Sequence, residues 1–254
     1  MFDIGANLTS SHFSKDLDVV LNDSLKAGVE KICITSSNLD DVKNAKKISE
    51  KYENLYYSVG FHPHNAKDFK IEFLKYMSVY FYDPKAICLG EMGLDFNRNF
   101  SSKEEQILCF ESQLSLASSI SKPLFLHQRD AHEEFLSVLD NHKFNQKLIV
   151  HCFTGNLSEL EDYLKRDFYI GITGWVCDLK RGKELRKCIN QIPEDKLLIE
   201  TDSPYLSPRK KIRRNEPKFL IDVAEEVATL RNETKESIIN SSYENSLNFF
   251  NLHR

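Results

Sequence analysis

Four side chains of metal-ligand type each follow a short apolar run: Glu91 after Ala86-Ile87-Cys88-Leu89-Gly90, His127 after Pro123-Leu124-Phe125-Leu126, His151 after Leu148-Ile149-Val150, and Asp202 after Leu197-Leu198-Ile199-Glu200-Thr201. Imidazole nitrogen and carboxylate oxygen are donors that zinc, manganese and magnesium take up. One such residue after a strand would only mark the surface. Four of them, separated by helix-length segments, converge when the strands run parallel and close into a barrel, whose strand C-termini share one face. The chemistry this pattern predicts is metal-dependent hydrolysis.

Eight apolar runs read as strands: residues 2–7, 31–35, 55–61, 86–91, 123–127, 147–152, 168–173 and 196–202. Their spacing leaves room for a helix and two loops in each crossover. Between them, Ile107, Phe110, Leu114 and Ala117 fall three or four apart, as do Leu157, Leu160 and Leu164, which is helical period. Near-continuous apolar strands alternating with amphipathic helices indicate a parallel sheet covered by helices. An open doubly wound sheet fits that element order too, but residues from its first, fourth, fifth, sixth and eighth strands could not share one site. The expected fold is therefore an α/β protein, a (β/α)8 TIM barrel of the metal-dependent hydrolase type, in a single domain over residues 1–254. Stretches 216–231 and 235–252 are expected to be the last barrel helix and an additional C-terminal helix. Strand alternation places Glu200 and Leu198 on the same side as Asp202, Thr201 on the other, and Asp3, Gly5 and Asn7 inward.

The 254 residues are 41% hydrophobic and 28% charged, ordinary for a globule with a sizeable core. A net charge of -4 argues against tight duplex binding by the whole surface but leaves a local basic patch open. Cysteines 33, 88, 109, 152, 177 and 188 form no CxxC pair, so reduced thiols are expected. The start Met1-Phe2-Asp3-Ile4-Gly5 lacks a basic region followed by a long apolar stretch, and no later run approaches a membrane span. The expectation is a cytoplasmic protein, a monomer with no membrane partner.

The motifs Asp3-Ile4-Gly5-Ala6-Asn7-Leu8, Gly60-Phe61-His62-Pro63-His64, Gly90-Glu91-Met92-Gly93-Leu94-Asp95, Leu126-His127-Gln128-Arg129-Asp130-Ala131, His151-Cys152-Phe153-Thr154-Gly155 and Glu200-Thr201-Asp202-Ser203-Pro204-Tyr205-Leu206, with Arg214-Asn215-Glu216-Pro217, occur in this order along the whole chain. Together they resemble the TatD family of metal-dependent deoxyribonucleases, of the amidohydrolase-like barrel class. The resemblance implies that Glu91, His127 and His151 hold a divalent metal, and that Asp202 binds metal or takes a proton from the attacking water. His62 would face the substrate phosphate. The implied activity is removal of nucleotides from the 3′ end of single-stranded DNA and RNA, with a role in DNA repair. Mg²⁺ is the expected ion, with Mn²⁺ or Zn²⁺ as alternatives. One departure stands out: where much of the family has His-x-His at the end of the first strand, this chain has Gly5 and Asn7. Neither replaces imidazole as a ligand, so one resident metal and a weaker second site are expected.

The residues suit that chemistry on their own terms. Phosphodiester hydrolysis needs a hydroxide and relief of charge on the phosphoryl oxygens, both of which a divalent ion supplies. Asp202 would serve as general base, and His62 would either hydrogen-bond a nonbridging oxygen or protonate the leaving 3′-oxygen. Asn7, His64, Arg129, Tyr205 and Arg214 are the candidate substrate contacts. Phe61, Phe96, Phe153, Trp175 and Tyr205 could stack bases or simply pack. Arg129 with Asp130 reads either as an active-site ion pair or as a helix-start pair. The run Arg209, Lys210, Lys211, Arg213 and Arg214 reads either as a solvated loop or as a phosphate contact. His12, His132, His142 and His253 have no evident chemical role. Two rival functions share the fold: an amidohydrolase-type enzyme such as a D-aminoacyl-tRNA deacylase, and a noncatalytic binding scaffold. Glu91 in place of the bridging Lys of many amidohydrolases disfavours the first, and retention of four ligand-type residues disfavours the second.

Overall fold

Apolar runs rich in Ile, Leu, Val and aromatic residues favour a pleated, buried surface, and in this chain they form the strands. The computed structural model describes residues 1–143 and 145–252, so the expectation for His253 lies outside the described residues. Eight parallel strands in chain order alternate with helices, which is the (β/α)8 barrel class. The strands are β1 (Phe2–Ala6), β2 (Lys31–Ile34), β3 (Leu55–Val59), β4 (Ala86–Asp95), β5 (Leu124–Arg129), β6 (Leu148–Val150), β7 (Tyr169–Ile172) and β8 (Leu197–Ile199). The helices are α1 (Leu17–Lys26), α2 (Leu39–Ser49), α3 (Phe73–Tyr80), α4 (Lys103–Ala117), α5 (His132–Asp140), α6 (Leu157–Lys165), α7 (Lys183–Cys188), α8 (Leu220–Arg231) and α9 (Lys235–Phe250). Among the described residues, no helix is long and apolar enough to cross a membrane.

The chain divides into two compact units, one of Met1–Ile34 with His151–Arg254 and one of Thr35–Val150. In the first, β1 pairs with β2 from Phe2 opposite Lys31, and β7 pairs with β8 from Ile170 opposite Leu197. Its core gathers Phe2 on Phe250 at 5.3 Å and Tyr169 on Phe249 at 5.1 Å between ring centroids. Helix α9 is capped by Thr234, whose hydroxyl accepts the Ser237 amide, and α8 is closed by Asn232 in the left-handed region. The expected start of α8 at residue 216 is corrected to Leu220, because Pro217 opens a short 3-10 turn ahead of it.

In the second unit β3, β4, β5 and β6 pair in order. Helix α4 begins at a capping box, with Ser102 accepting the Glu105 amide and Glu105 accepting the Ser102 amide. Phe110 of α4 stacks on Phe135 of α5 at 5.4 Å. Two expected strand ends move. Strand β4 continues to Asp95 and β5 to Arg129, so Glu91 and His127 lie within strands rather than closing them. Pairing continues because Gly93 has no Cβ, which would lie 1.9 Å from the His127 carbonyl oxygen. By contrast, β6 ends at Val150 and β8 at Ile199, leaving His151 and Asp202 on irregular backbone. Asp202 has φ 54°, so the alternation expected from it back to Glu200 has no regular strand to run along.

Candidate metal centre

In the second unit, neighbouring strands set side chains of complementary chemistry against one another. Register places Gly93 opposite His127 and Asp95 opposite Arg129. His127 thereby reaches Glu91 Oε1 with Nδ1 at 2.9 Å and Asp95 Oδ2 with Nε2 at 3.4 Å. His62, just after β3, reaches the same Glu91 oxygen at 3.1 Å, and His64 reaches Asp95 Oδ2 at 2.7 Å. His62, Glu91 and Asp95 are buried. The His64 amide donates to His62 Nδ1 at 3.0 Å, so the ring proton sits on Nε2 and is offered to Glu91. Burial pushes the His62 imidazole down to about 4 against the opposing pull of Glu91, and the ring is neutral at pH 7. Burial alone would raise the Asp95 carboxyl, but hydrogen bonds from His127, His64 and the Arg98 amide outweigh it and hold it below the usual carboxylate range.

A divalent ion fits this cluster. His62, Glu91 and His127 each offer one ligand atom, all within 4.8 Å of one another, and a mixed nitrogen and oxygen donor set suits such ions. The His62 tautomer makes its inward atom a donor. Glu91 and His127 are the side chains of this unit that could hold an ion, with His62 a hydrogen-bond donor beside them.

Sequence reading did not single out Asp95, Gln106 or Gln113, three buried residues that hold the cluster in place. Gln113 on α4 accepts the Phe61 amide at 2.7 Å and donates to the Phe61 carbonyl at 3.0 Å, gripping the residue before His62 as a second strand would. One helix segment earlier, Gln106 does the same to Asp95, accepting its amide at 2.8 Å and donating to its carbonyl at 3.1 Å. The signal was available: two glutamines seven apart on the otherwise apolar stripe of α4 mark buried amides that need partners.

The first unit carries the other predicted residues. His151 Nδ1 lies 3.3 Å from Glu200 Oε2, and Glu200 Oε1 accepts the Cys152 amide at 2.6 Å. Glu200 is wholly buried and orients the imidazole, so Nε2 is the nitrogen a metal would take. Asn7 donates from Nδ2 to Asp202 Oδ1 at 2.8 Å, while the Asp202 amide donates to Gly5 at 2.8 Å. Asp3 is wholly buried, accepts the Thr201 amide at 2.9 Å and meets the Thr201 hydroxyl at 2.5 Å. Thr201 thus faces Asp3, and the expectation that the two point to opposite sides is corrected by the same early end of β8.

The remaining candidates are Tyr205, Arg214 and Arg129. Tyr205 is 53% exposed, open enough to meet a base. Arg214 is engaged by Asp16 through both terminal nitrogens, at 2.9 and 2.8 Å, by Glu216, and by the His12 carbonyl. Arg129 ends β5 and its carbonyl accepts the Phe96 amide at 2.9 Å, while Asp130 accepts from Asn97 at 2.6 Å. Phe61 packs among Phe69 and Phe73, and Phe153 against Tyr163, so both serve the core. All six cysteines are free thiols.

Strand order and the His-carboxylate cluster define a metal-dependent hydrolase of the (β/α)8 barrel class. The sequence matches the TatD related DNase family over residues 2–251, and the chain belongs to that family. It is 43% identical over 241 residues to a protein of Escherichia fergusonii named 3'-5' ssDNA/RNA exonuclease TatD, covering 92% of each chain. Among solved structures it is similar to a TatD homolog from Escherichia coli, with TM-score 0.92 and 26% identity over 100% of this chain and 98% of that one. It is also similar to a TatD family hydrolase from Entamoeba histolytica, with TM-score 0.89 and 29% identity over 98% and 97% of the two chains.

Proposed function

We propose that this chain is a metal-dependent 3′ to 5′ exonuclease of single-stranded DNA and RNA, acting as a cytoplasmic monomer in DNA repair with residues 1–254 as one catalytic domain. The observation that carries this reading is the cluster of buried Glu91 and His62 with half-buried His127, in a chain 43% identical to a protein named for that activity. Mg²⁺ is the proposed ion, with Mn²⁺ and Zn²⁺ as alternatives. Its proposed ligands are Glu91, His127, His151 and Asp202. When bound, the ion supplies a hydroxide at neutral pH and offsets charge on the phosphoryl oxygens.

The chain's own groups do the rest. Asp202 accepts the proton of the attacking water, held in place by the Asn7 amide on its other oxygen. His62, with its proton on Nε2, shifts that hydrogen bond from Glu91 to a nonbridging phosphoryl oxygen when substrate is present; a neutral ring in this tautomer suits that role better than protonating the leaving 3′-oxygen. Glu200 fixes the His151 ring and Asp95 fixes His64 and His127. Asn7, His64, Arg129 and Tyr205 contact the strand, and Arg214 acts through the loop whose base it ties to Asp16. End-labelled single-stranded DNA, RNA and duplex, incubated with each ion or with chelator, test the reading. Nucleotides should leave single strands from the 3′ end only when metal is present, and circular strands should resist. Full activity in excess chelator, or circles cut as fast as linear strands, would overturn it.

A further inference from the structure

The loop after Asp202 is pinned at its base and charged at its tip. Asn215, wholly buried, donates its amide to the Pro204 carbonyl at 3.0 Å and its Nδ2 to the Thr201 carbonyl at 2.8 Å, which ties the two ends of the loop together. Between them, the loop folds against the turn from Gly174 to Gly182. Gly174 permits the approach, since a Cβ there would lie 2.1 Å from the Leu206 carbonyl oxygen. Loop and turn enclose a cleft of about 330 Å³.

Four cationic side chains line that cleft, Arg181, Arg209, Lys210 and Arg213, against a single carboxylate, Asp178. Arg209 is a fixed wall: Asp222 takes its Nε at 2.7 Å and one terminal nitrogen at 3.0 Å, and the guanidinium lies 4.4 Å from the Phe219 ring centre. Arg181 is held by Asp178 at 2.7 Å and lies over the Trp175 ring at 4.6 Å, so an aromatic face borders the charge. Lys210 and Arg213 are exposed and make no ion pair among the described residues. Like charges gathered in a concavity repel one another, and this cationic cluster stands out on a chain whose net charge is -4. An anion relieves that repulsion.

We infer that this cleft holds backbone phosphates of the nucleic-acid strand, upstream of the nucleotide being removed. The inference rests on the nuclease reading above and adds a second contact to it. Leu206, on the cleft wall, is four residues from Asp202, which limits their separation to about 14 Å. One strand therefore serves both places. The chemistry recognised is a phosphate ester flanked by a stackable base, which a free mononucleotide also offers.

The experiment uses the full chain with Lys210→Glu and Arg213→Glu together, both exposed and remote from the core. Fluorescence anisotropy with a labelled twelve-nucleotide single strand, metal omitted, reads affinity at several salt concentrations. Loss of two phosphate contacts should weaken binding about tenfold and flatten the log-log salt slope by about 1.4. Cleavage of a dinucleotide, whose single phosphate is the one cut and which offers no upstream phosphate, should be unchanged, and Lys210→Arg with Arg213→Lys should bind like wild type. Unchanged affinity and slope in the reversed variant would overturn the inference while leaving the nuclease reading intact. A tenfold loss of adenosine monophosphate binding in parallel with the strand would assign the cleft to a free nucleotide and overturn the strand reading. If the wild type neither binds nor cuts single strands, the nuclease reading itself fails.

Discussion

The two units support their reactive side chains in different ways. In the second unit they share partners: His62 and His127 meet one oxygen of Glu91, and His64 and His127 meet one oxygen of Asp95. Both carboxylates ride on β4, whose ten residues are all buried. In the first unit each reactive group has its own brace, Glu200 for His151 and Asn7 for Asp202, on backbone where regular pairing has stopped. A shared network fails together, and separate braces fail one at a time. The difference teaches where damage should spread.

The largest expected effect is loss of the shared oxygen ligand. Glu91→Ala or His127→Ala should lower kcat/KM by on the order of 10⁴, and metal analysis of the folded variants should show the ion gone. Next, Asp202→Asn should lower kcat by about 10² to 10³, the range of a general base, while the metal content of the other ligands' site falls less than in Glu91→Ala. Smaller still is the brace: Glu200→Gln should weaken metal affinity or activity by about 10- to 100-fold, measured by metal titration. If Glu200→Gln proved as damaging as Glu91→Ala, the contrast between shared and separate support would collapse. Metal analysis after dialysis should find about one ion per chain in the wild type, rising toward two in Gly5→His with Asn7→His once folding has been checked. Two ions retained by the wild type would show that Asn7 suffices.

The smallest effect concerns stability. Burial pushes the Asp3 carboxyl up to about 8, so between the ordinary carboxylate value and that point the folded chain binds a proton that the unfolded chain does not. Stability contributed at this position is therefore greatest below pH 4 and declines as pH rises to 8. Asp3→Asn, which cannot ionise, should flatten that decline, and denaturant midpoints measured from pH 5 to pH 9 should fall less in the variant than in the wild type. A parallel fall in both would place the alkaline loss elsewhere.

Much of this was legible from residue types. The strand runs, the helical stripe through Phe110 and Leu114, and the ligand-type residues at 91, 127, 151 and 202 follow from periodicity and donor chemistry. Alternation set Glu200 beside Asp202, but its place behind His151, 49 residues earlier, was not visible. What stayed hidden depended on close backbone approach and on long-range partners. The extension of β4 past Glu91 needed knowledge that Gly93 would lie against the His127 carbonyl. Asp95 sat in a recognised motif, yet its role depends on two imidazoles 31 and 32 residues away along the chain. Arg214 read as a phosphate contact because charge was visible and its partner Asp16, 198 residues distant, was not.

Gln106 and Gln113 sit two turns apart on one helix, each clasping the backbone of a residue at or beside the cluster, so α4 works as a ruler. Seven residues at about 1.5 Å each set roughly 10 Å between the two grips. The length of that interval is inherited from counting, independent of which residues fill its outer face. Leu108, 62% exposed, should accept many substitutions in silence. A single residue inserted beside it would turn one glutamine about 100° away from its peptide, and the chain would lose its gauge between the His62 turn and Asp95 although every reactive side chain was still there.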